Sequence, residues 1–334
     1  MDDITFEYDS SLTREELSFF AHMGGFEVEF DEDEPEEGPI NAGETLDIED
    51  SDEEDECECG HKHKHEDGEE CECEHEGERD EEEAWDDDDF YSDDLVYELV
   101  HAMFEEGPDE YAELACENRL ELIEENDEDP DVGRAVAIGY KMGVSLKNAP
   151  CANNLGTLYY LGELVEQDYA KAAQLFQLAI DWGSRQSLIN LGYIYELGST
   201  GEPDYQKAYQ CYALAVALEP SCEALCKLGD MYACGMAVDR DLGVANDLWE
   251  RAFDEAEDVT EVAQAALRLG KLYLEPEAEE LDVESPALQA LSLFQQAEIG
   301  LRTAIDQGVL SAREQLQATI DGQAEARRRL DAEQ

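Results

Sequence analysis

Residues 152–179 read ANNLGTLYYLGELVEQDYAKAAQLFQLA and decide the fold, because their pattern returns three more times along the chain. In each copy a Leu-Gly-x-x-Tyr element is followed, 16 or 20 residues after its glycine, by Ala-x-x-x-aromatic-x-x-Ala. The glycines lie 36, 37 and 41 residues apart, at Gly156, Gly192, Gly229 and Gly270. A period of about 40 residues with two helical patterns indicates a stack of helix pairs. The sequence therefore predicts an all-α solenoid of antiparallel pairs.

The repeated glycines predict close packing inside each unit. Gly in a helix costs about 0.5–1 kcal/mol relative to Ala, so keeping it four times implies that another group approaches the backbone there. We expect the small residues of the second helix to lie against the glycine, namely Ala172, Ala208, Ala245 and Ala290. We expect the aromatic residues four positions later to wedge into the next unit, namely Phe176, Tyr212, Trp249 and Phe294.

Each unit also carries signals for where its helices begin and end. A second glycine follows the first by six residues, which predicts a left-handed C-cap at Gly162, Gly198 and Gly235. An N-cap is predicted where the second helix begins, at Asp168, Asp204 and Asp241. The fourth unit has Pro276 and Pro286 instead, so its turn must differ.

The residues that carry this period resemble the Sel-one-like repeat family, which is related to the tetratricopeptide repeats. The pattern from Ala152 to Ala179 matches best, and the resemblance covers about residues 131–310. The resemblance implies a right-handed superhelix of antiparallel helix pairs that serves as an interaction scaffold. It does not identify the partner.

The pattern divides the chain into five parts. Residues 1–30 are a short hydrophobic segment that we expect to be weakly ordered, and residues 31–94 are an acidic tail. Residues 95–150 are predicted to form capping helices and a degenerate leading repeat. Four repeats fill residues 151–308, and residues 309–334 are predicted to form a C-terminal capping helix.

The hydrophobic start of the chain has two alternative interpretations. Thr13 and Glu16 have capping-box spacing and predict a helix, while Phe26, Val28 and Phe30 alternate like a short strand. Such a patch ahead of an acidic run is either a docking peptide or a fragment that packs loosely on the solenoid.

The acidic tail dominates the charge of the chain, which is −67 from 88 Asp and Glu against 21 Lys and Arg. Residues 31–94 hold 34 carboxylates in 64 positions. With little apolar surface to bury, this segment cannot offset a backbone entropy cost of about 1–2 kcal/mol per residue, and we predict disorder. Strong acidity also argues against direct nucleic-acid binding, which needs clustered Lys and Arg.

The helices that flank the repeats follow from apolar spacing. A first helix is predicted from Leu95 to Gly107, and a second around Tyr111–Ile123 is followed by an acidic turn at residues 124–131. A third helix is predicted over about Val132–Met142. After Gly308 a last helix is predicted to reach about Leu330. Its inward residues are predicted to be Leu310, Ala312, Leu316 and Ile320.

The acidic tail contains a tract of alternating Cys and His. Thiolate and imidazole suit Zn²⁺, and also Ni²⁺ or copper. The Cys-x-Cys spacing differs from the Cys-x₂₋₄-Cys of structural zinc sites and is typical of a flexible metal-collecting tract. The alternative interpretation is that these Cys and His residues occur by chance in a low-complexity acidic tail and bind no metal. The candidate ligands are Cys57, Cys59, His61, His63, His65, Cys71, Cys73 and His75.

The family geometry implies which side chains line the inner surface of the solenoid. They lie on the first helix of each pair, between its packing positions. A merely solvated face is the alternative for each residue taken singly. The candidate partner-binding residues are Asn153, Thr157, Tyr160, Tyr193, Glu196, Asp230 and Lys271.

The sequence shows no nucleophile elbow, Walker loop or dinucleotide fingerprint, so we expect a non-enzyme that requires no cofactor. The chain opens Met1-Asp2-Asp3 without a leader and has no membrane-length apolar run, so we expect a cytoplasmic protein that does not bind membranes. The leading hypothesis is an adaptor whose groove binds an unidentified protein and whose acidic tail modulates that binding. The alternatives are Zn or Ni storage or delivery by the tail, and nucleic-acid mimicry towards a basic protein.

Overall fold

The structure is a computed structural model that describes residues 12–28, 48–50, 95–277, 281, 283–309 and 311–332. These residues are almost entirely helical, as predicted. They belong to two compact units. The described residues up to Gln167 form the N-terminal unit, and those from Asp168 onward form the C-terminal unit.

The N-terminal unit has six α-helices and a two-stranded sheet among its described residues. The helices are α1 (Arg14–Met23), α2 (Leu95–His101), α3 (Pro108–Glu117), α4 (Arg119–Glu128), α5 (Pro130–Ser145) and α6 (Ala149–Leu161). A π-helical turn, Ala102–Glu106, directly follows α2. Strands β1 (Phe26–Val28) and β2 (Ile48–Asp50) pair antiparallel. Of residues 31–94, only 48–50 are described, so the predicted disorder concerns residues outside the described part.

The start of the chain packs onto α2 and α5. Its helix α1 begins at a capping box, in which the Glu16 N–H donates to the Thr13 hydroxyl and the Thr13 N–H donates to the Glu16 carboxylate. Leu17 and Phe20 of α1 are almost fully buried, and Lys141 of α5 donates to Glu16 at 2.7 Å. The segment therefore packs on its own unit. A docking role stays a prediction.

For the helices that precede the repeats, the end of the first is predicted correctly, but the second helix and the turn after it are not. The first helical stretch ends at Gly107, as predicted. The predicted second helix is two helices, α3 and α4, separated at Asn118, whose side chain donates to the Leu114 carbonyl at 2.9 Å. The predicted acidic turn is wrong because α4 continues to Glu128. Asp129 then caps α5.

The C-terminal unit contains eight helices among its described residues. They are α7 (Tyr169–Asp181), α8 (Gln186–Leu197), α9 (Tyr205–Leu218), α10 (Cys222–Cys234), α11 (Leu242–Glu255), α12 (Val259–Leu272), α13 (Pro286–Asp306) and α14 (Ala312–Ala332). The second, third and fourth repeats are the helix pairs α8–α9, α10–α11 and α12–α13. This stack of pairs is the α-solenoid arrangement that the period predicts.

The predicted caps are confirmed at each repeat. Gly162, Gly198 and Gly235 are left-handed C-caps, with φ of 73°, 65° and 68°. The side chains of the three predicted N-cap residues accept backbone N–H groups of the helices that follow, α7, α9 and α11. In the fourth unit, where Pro276 replaces the glycine, the first helix already ends at Leu272.

In the three helix pairs of the C-terminal unit, the group nearest the repeat glycine is the aromatic ring and not the predicted Ala. A Cβ on Gly192 would overlap the Tyr212 ring, and a Cβ on Gly229 would overlap Trp249. The Phe294 ring lies within 3.0–3.1 Å of the Cβ position of Gly270. The rings therefore pack within their own units.

An aromatic ring also lies on a helix glycine at two places outside the helix pairs of the repeats. In the N-terminal unit the roles are exchanged: Tyr111 of α3 covers Gly139 of α5, and its hydroxyl donates to the Val136 carbonyl at 2.8 Å. In the C-terminal unit Gly322 of α14 lies against Phe294. Phe294 therefore does reach the next element, as predicted for these aromatics.

The C-terminal capping helix is present, but its predicted inward face is partly wrong. Ala312 is buried as predicted, whereas Ile320 is 40% exposed and Leu310 lies outside the described residues. The other buried residues are Thr319, Gln323 and Ala326. Gln323 faces inward because its amide donates to Glu298 of α13 at 2.7 Å, so the buried polar group is satisfied.

Candidate functional site

The first helices of successive repeats in the C-terminal unit, α8, α10 and α12, place their polar side chains in one connected row. We call this row the first-helix strip. It includes four of the predicted partner-binding residues and three that the sequence reasoning missed. The strip consists of Tyr193, Glu196, Glu223, Lys227, Asp230, Arg268 and Lys271.

Lys227 is the central cation of the strip. Its ammonium is 2.7 Å from the Glu196 carboxylate, and the two side chains are only 11% and 15% exposed. It also lies 4.6 Å from the centre of the Tyr193 ring and 5.6 Å from that of Tyr212. Tyr212 donates its hydroxyl to Glu196 at 2.7 Å. One ion pair thus joins α8 to α10 and ties the strip to the ring that covers Gly192.

Tyr193 makes a second connection between the same two helices. Its hydroxyl donates to Glu223 of α10 at 2.9 Å, and Gln186 donates to the other oxygen of that carboxylate at 3.1 Å. Burial, and then the neighbouring Glu223 charge, raise the pKa of Tyr193 far above its ordinary value. The phenol therefore remains a neutral hydrogen-bond donor.

Asp230 and Arg268 connect α10 to α12. The guanidinium donates from Nε and Nη2 to the two carboxylate oxygens at 2.7 and 2.8 Å, which is a bidentate pair. Burial alone would lower the pKa of Arg268, but the bonds to Asp230 raise it above its ordinary value. This cation is therefore fixed in its charged form.

The same two repeat positions meet each time. The residue after the repeat glycine in one unit contacts the residue two positions before the glycine in the next unit. Tyr193 meets Lys227 in this way, and Asp230 meets Arg268. The sequence reasoning selected the positions after the glycine and overlooked those before it. A comparison of charge at these positions of adjacent repeats would have revealed the Asp230–Arg268 pair.

The other three predicted residues lie on α6, in the N-terminal unit, and are half-buried. The Thr157 hydroxyl donates to the Asn153 carbonyl at 3.0 Å, a bond within the helix. The Tyr160 carbonyl accepts from Gln167 at 2.9 Å. These residues are described within their own unit only, so their place in a shared binding surface stays a prediction.

The predicted metal tract lies outside the described residues. Within residues 12–28, 48–50 and the described parts of 95–332, no group of three or more His, Cys, Asp or Glu is placed to hold a metal ion. No described helix combines the length and apolar character needed to cross a membrane.

Comparison with known proteins identifies the repeats. A family model described as Sel1 repeat matches residues 149–184, 185–219 and 222–256, which contain the helices α6 to α11. The chain therefore contains three Sel1 repeats. Proteins with Sel1 repeats generally act as protein-interaction scaffolds. The fourth predicted unit, α12 and α13, lies beyond the matched residues. It nevertheless has the same glycine–aromatic contact as the second and third units.

Two solved structures are similar to the chain. A Sel1 repeat protein from Oxalobacter formigenes has 20% identity, a TM-score of 0.49, and coverage of 70% of this chain and 94% of its own. The protein c5321, a protective antigen present in uropathogenic Escherichia coli strains displaying an SLR fold, has 19% identity and a TM-score of 0.42. That match covers 69% of this chain and 53% of c5321. A search of curated proteins found no match.

The Lys227→Met substitution tests whether the strip holds adjacent repeats together. It leaves Glu196 without its cation in a nearly buried position, so we expect the free energy of unfolding to fall by about 2 kcal/mol or more. Hydrogen exchange of the α8 and α10 amides should accelerate. The control is Lys207→Met, which removes a 47% exposed lysine that pairs with Asp204 and lies over Tyr195. The control substitution should lower the free energy of unfolding by less than about 1 kcal/mol. Equal losses in both variants would contradict the assignment.

Proposed function

We propose that the chain is a non-catalytic adaptor whose first-helix strip binds a partner protein. The observation that carries this proposal is the connected row on α8, α10 and α12, which consists of Tyr193 and six charged side chains. Stacked helix pairs offer an extended face on which such a row can contact a partner along its length. Tyr and Arg are also residue types that are enriched at protein interfaces.

The internal bonds of the strip support this function. Tyr193, Lys227 and Arg268 are already held in place by carboxylates of neighbouring repeats. Side chains fixed before binding lose less conformational entropy when a partner arrives, so more of the contact energy appears as affinity. The predicted partner-binding residues would thus serve two purposes, joining the repeats and presenting a rigid polar surface.

The acidic tail is proposed to modulate this binding through its charge. A field of this size raises the encounter rate of a basic partner and lowers that of an acidic one, and salt screens both effects. We also propose a cytoplasmic location. It would keep thiols reduced, which suits the free cysteines of the described residues: Cys116, Cys151, Cys211, Cys222, Cys226 and Cys234.

Site-specific photocrosslinking in native lysate tests the adaptor proposal while every residue of the strip is kept. A benzophenone side chain replaces Gln186, an exposed residue at the edge of the strip, or Leu214, which is 47% exposed on the second helix α9. We expect a stoichiometric crosslink to one protein from position 186 and none from position 214. Crosslinking from both positions alike, or from 214 alone, would refute the strip as the contact surface.

A variant that lacks residues 51–94 tests whether the acidic tail modulates partner binding. The deletion begins after β2 and ends before α2, so it spares the described elements. If the tail modulates binding through charge, the crosslink yield from position 186 should change, and the difference should shrink at high salt. An unchanged yield would remove the tail from the proposal.

The Cys and His tract supports a second candidate function, metal storage or delivery. Eight thiol and imidazole groups lie within residues 57–75, and surrounding carboxylates raise the local cation concentration. We expect the full chain to bind Zn²⁺ or Ni²⁺ at micromolar or tighter affinity at neutral pH. Serine at Cys57, Cys59, Cys71 and Cys73 should abolish this binding. Millimolar binding that survives the four substitutions would show carboxylate binding instead, and would remove this candidate.

A further inference from the structure

The C-terminal unit contains a pocket at the end of the first-helix strip. Its volume is about 520 Å³, within the range of about 300–1,000 Å³ that is usual for binding pockets. Residues from α10, α11, α12 and α14 line it, with two from the turns that follow α10 and α12. Asp230, Arg268 and Lys271 of the strip are among the lining residues. The pocket is therefore continuous with the surface proposed to bind a partner.

The apolar part of the pocket lining, which we call its floor, consists of five residues. They are Leu242 and Trp249 of α11, Leu267 and Leu272 of α12, and Ala233 of α10. The Trp249 indole is fixed because its Nε1–H donates to the Cys226 carbonyl at 3.1 Å. A rigid aromatic and aliphatic floor favours a large apolar side chain of the ligand, because burial removes its surface from water.

The lining of the pocket is far less acidic than the chain as a whole. Acidic residues outnumber basic ones 88 to 21 in the whole sequence, yet the pocket has three cations and two carboxylates. The cations are Arg240, Arg268 and Lys271, and the carboxylates are Asp230 and Glu275. Asp230 pairs with Arg268, and Glu277, outside the lining, pairs with Arg240 at 3.7 Å, so Lys271 is the cation left to meet a single ligand carboxylate.

Lys271 is the cation that remains available. Arg268 is held by Asp230, and Arg240 donates from Nε to the Ala233 carbonyl at 3.0 Å. Lys271 is exposed and forms no ion pair within the part of the chain that the structure describes. Burial, and then repulsion from Arg268, lower the pKa of Lys271. A carboxylate placed beside it would relieve this repulsion.

We propose that this pocket binds a short acidic segment of a partner protein, with an aromatic or large aliphatic side chain on the floor and a neighbouring Asp or Glu carboxylate at Lys271. This proposal rests on the adaptor function and identifies the chemistry of the bound segment. A volume of this size holds only a few residues of a bound peptide, so the pocket recognises a short sequence motif. The tail repels such a ligand at long range, and the cations attract it at contact.

Selection of short random peptides, displayed on phage, against the full chain tests the proposal. The enriched sequences should place a carboxylate within one or two positions of an aromatic or large aliphatic residue. A synthetic peptide of that kind should lose about tenfold or more in affinity for the Lys271→Glu variant. The matched control is Arg302→Glu, which changes the net charge equally on α13, away from the pocket. This control should bind the peptide like the unmodified chain.

Cysteine labelling locates the bound peptide independently. Cys234 lines the pocket and Cys116 lies in the N-terminal unit, and both thiols are exposed. The peptide should slow maleimide labelling of Cys234 and leave the rate at Cys116 unchanged, as read by mass spectrometry of each cysteine-containing fragment.

Several outcomes would overturn the pocket assignment. They are enrichment of basic or neutral peptides, equal affinity for the two charge-reversal variants, an unshielded Cys234, and failure to enrich any peptide. If position 186 still crosslinks to a partner in any of these cases, the adaptor function stands and only the pocket proposal falls. Loss of the position 186 crosslink with an intact peptide site would instead refute the strip and leave the pocket as a peptide-binding site.

Discussion

The contact on which the repeats depend is an aromatic ring that lies directly on a helix backbone at a glycine. The absent Cβ lets Tyr212 and Trp249 approach the first helix of their own pair more closely than any other residue would permit. Rings bury a large area at a small cost in side-chain entropy, so they suit this close contact. Their polar atoms fix them further, since Tyr212 donates to Glu196 and Trp249 donates to the Cys226 carbonyl. Phe294 lacks a polar atom and lies against two glycines instead.

This packing positions the side chains of the first-helix strip. When each pair closes in the same way, the first helices lie side by side in register. The residue after one glycine then meets the residue two positions before the next glycine, as Tyr193 meets Lys227 and Asp230 meets Arg268. Tyr212 belongs to both systems, because its ring covers Gly192 and its hydroxyl bonds to Glu196, which pairs with Lys227. The proposed binding surface and the repeat core are therefore coupled.

The sequence predicts the period, the helix pairs and the caps because each depends on local chemistry. Asp168 accepts N–H groups of its own helix, and Gly198 adopts a left-handed conformation within its own turn. What the sequence did not predict depends on contacts between distant residues. A ring rather than an Ala covers Gly192, Gly229 and Gly270, and Lys227 pairs with a carboxylate 31 residues earlier in the chain. Ile320 is exposed because Gln323, held by Glu298, faces inward on α14.

A double-mutant cycle at Gly229 and Trp249 tests the central contact most directly. In the unmodified chain Gly229→Ala forces a methyl group into the indole, and we expect the free energy of unfolding to fall by about 1–3 kcal/mol. In the Trp249→Leu background the obstacle is gone, so the same substitution should cost at least about 1 kcal/mol less. Gly201→Ala, where a Cβ meets nothing within 4 Å, should be nearly neutral in both backgrounds. If Gly229→Ala lowers the free energy of unfolding equally in both backgrounds, within about 0.5 kcal/mol, the packing of Trp249 does not require the absence of a Cβ at residue 229. That result would contradict the account.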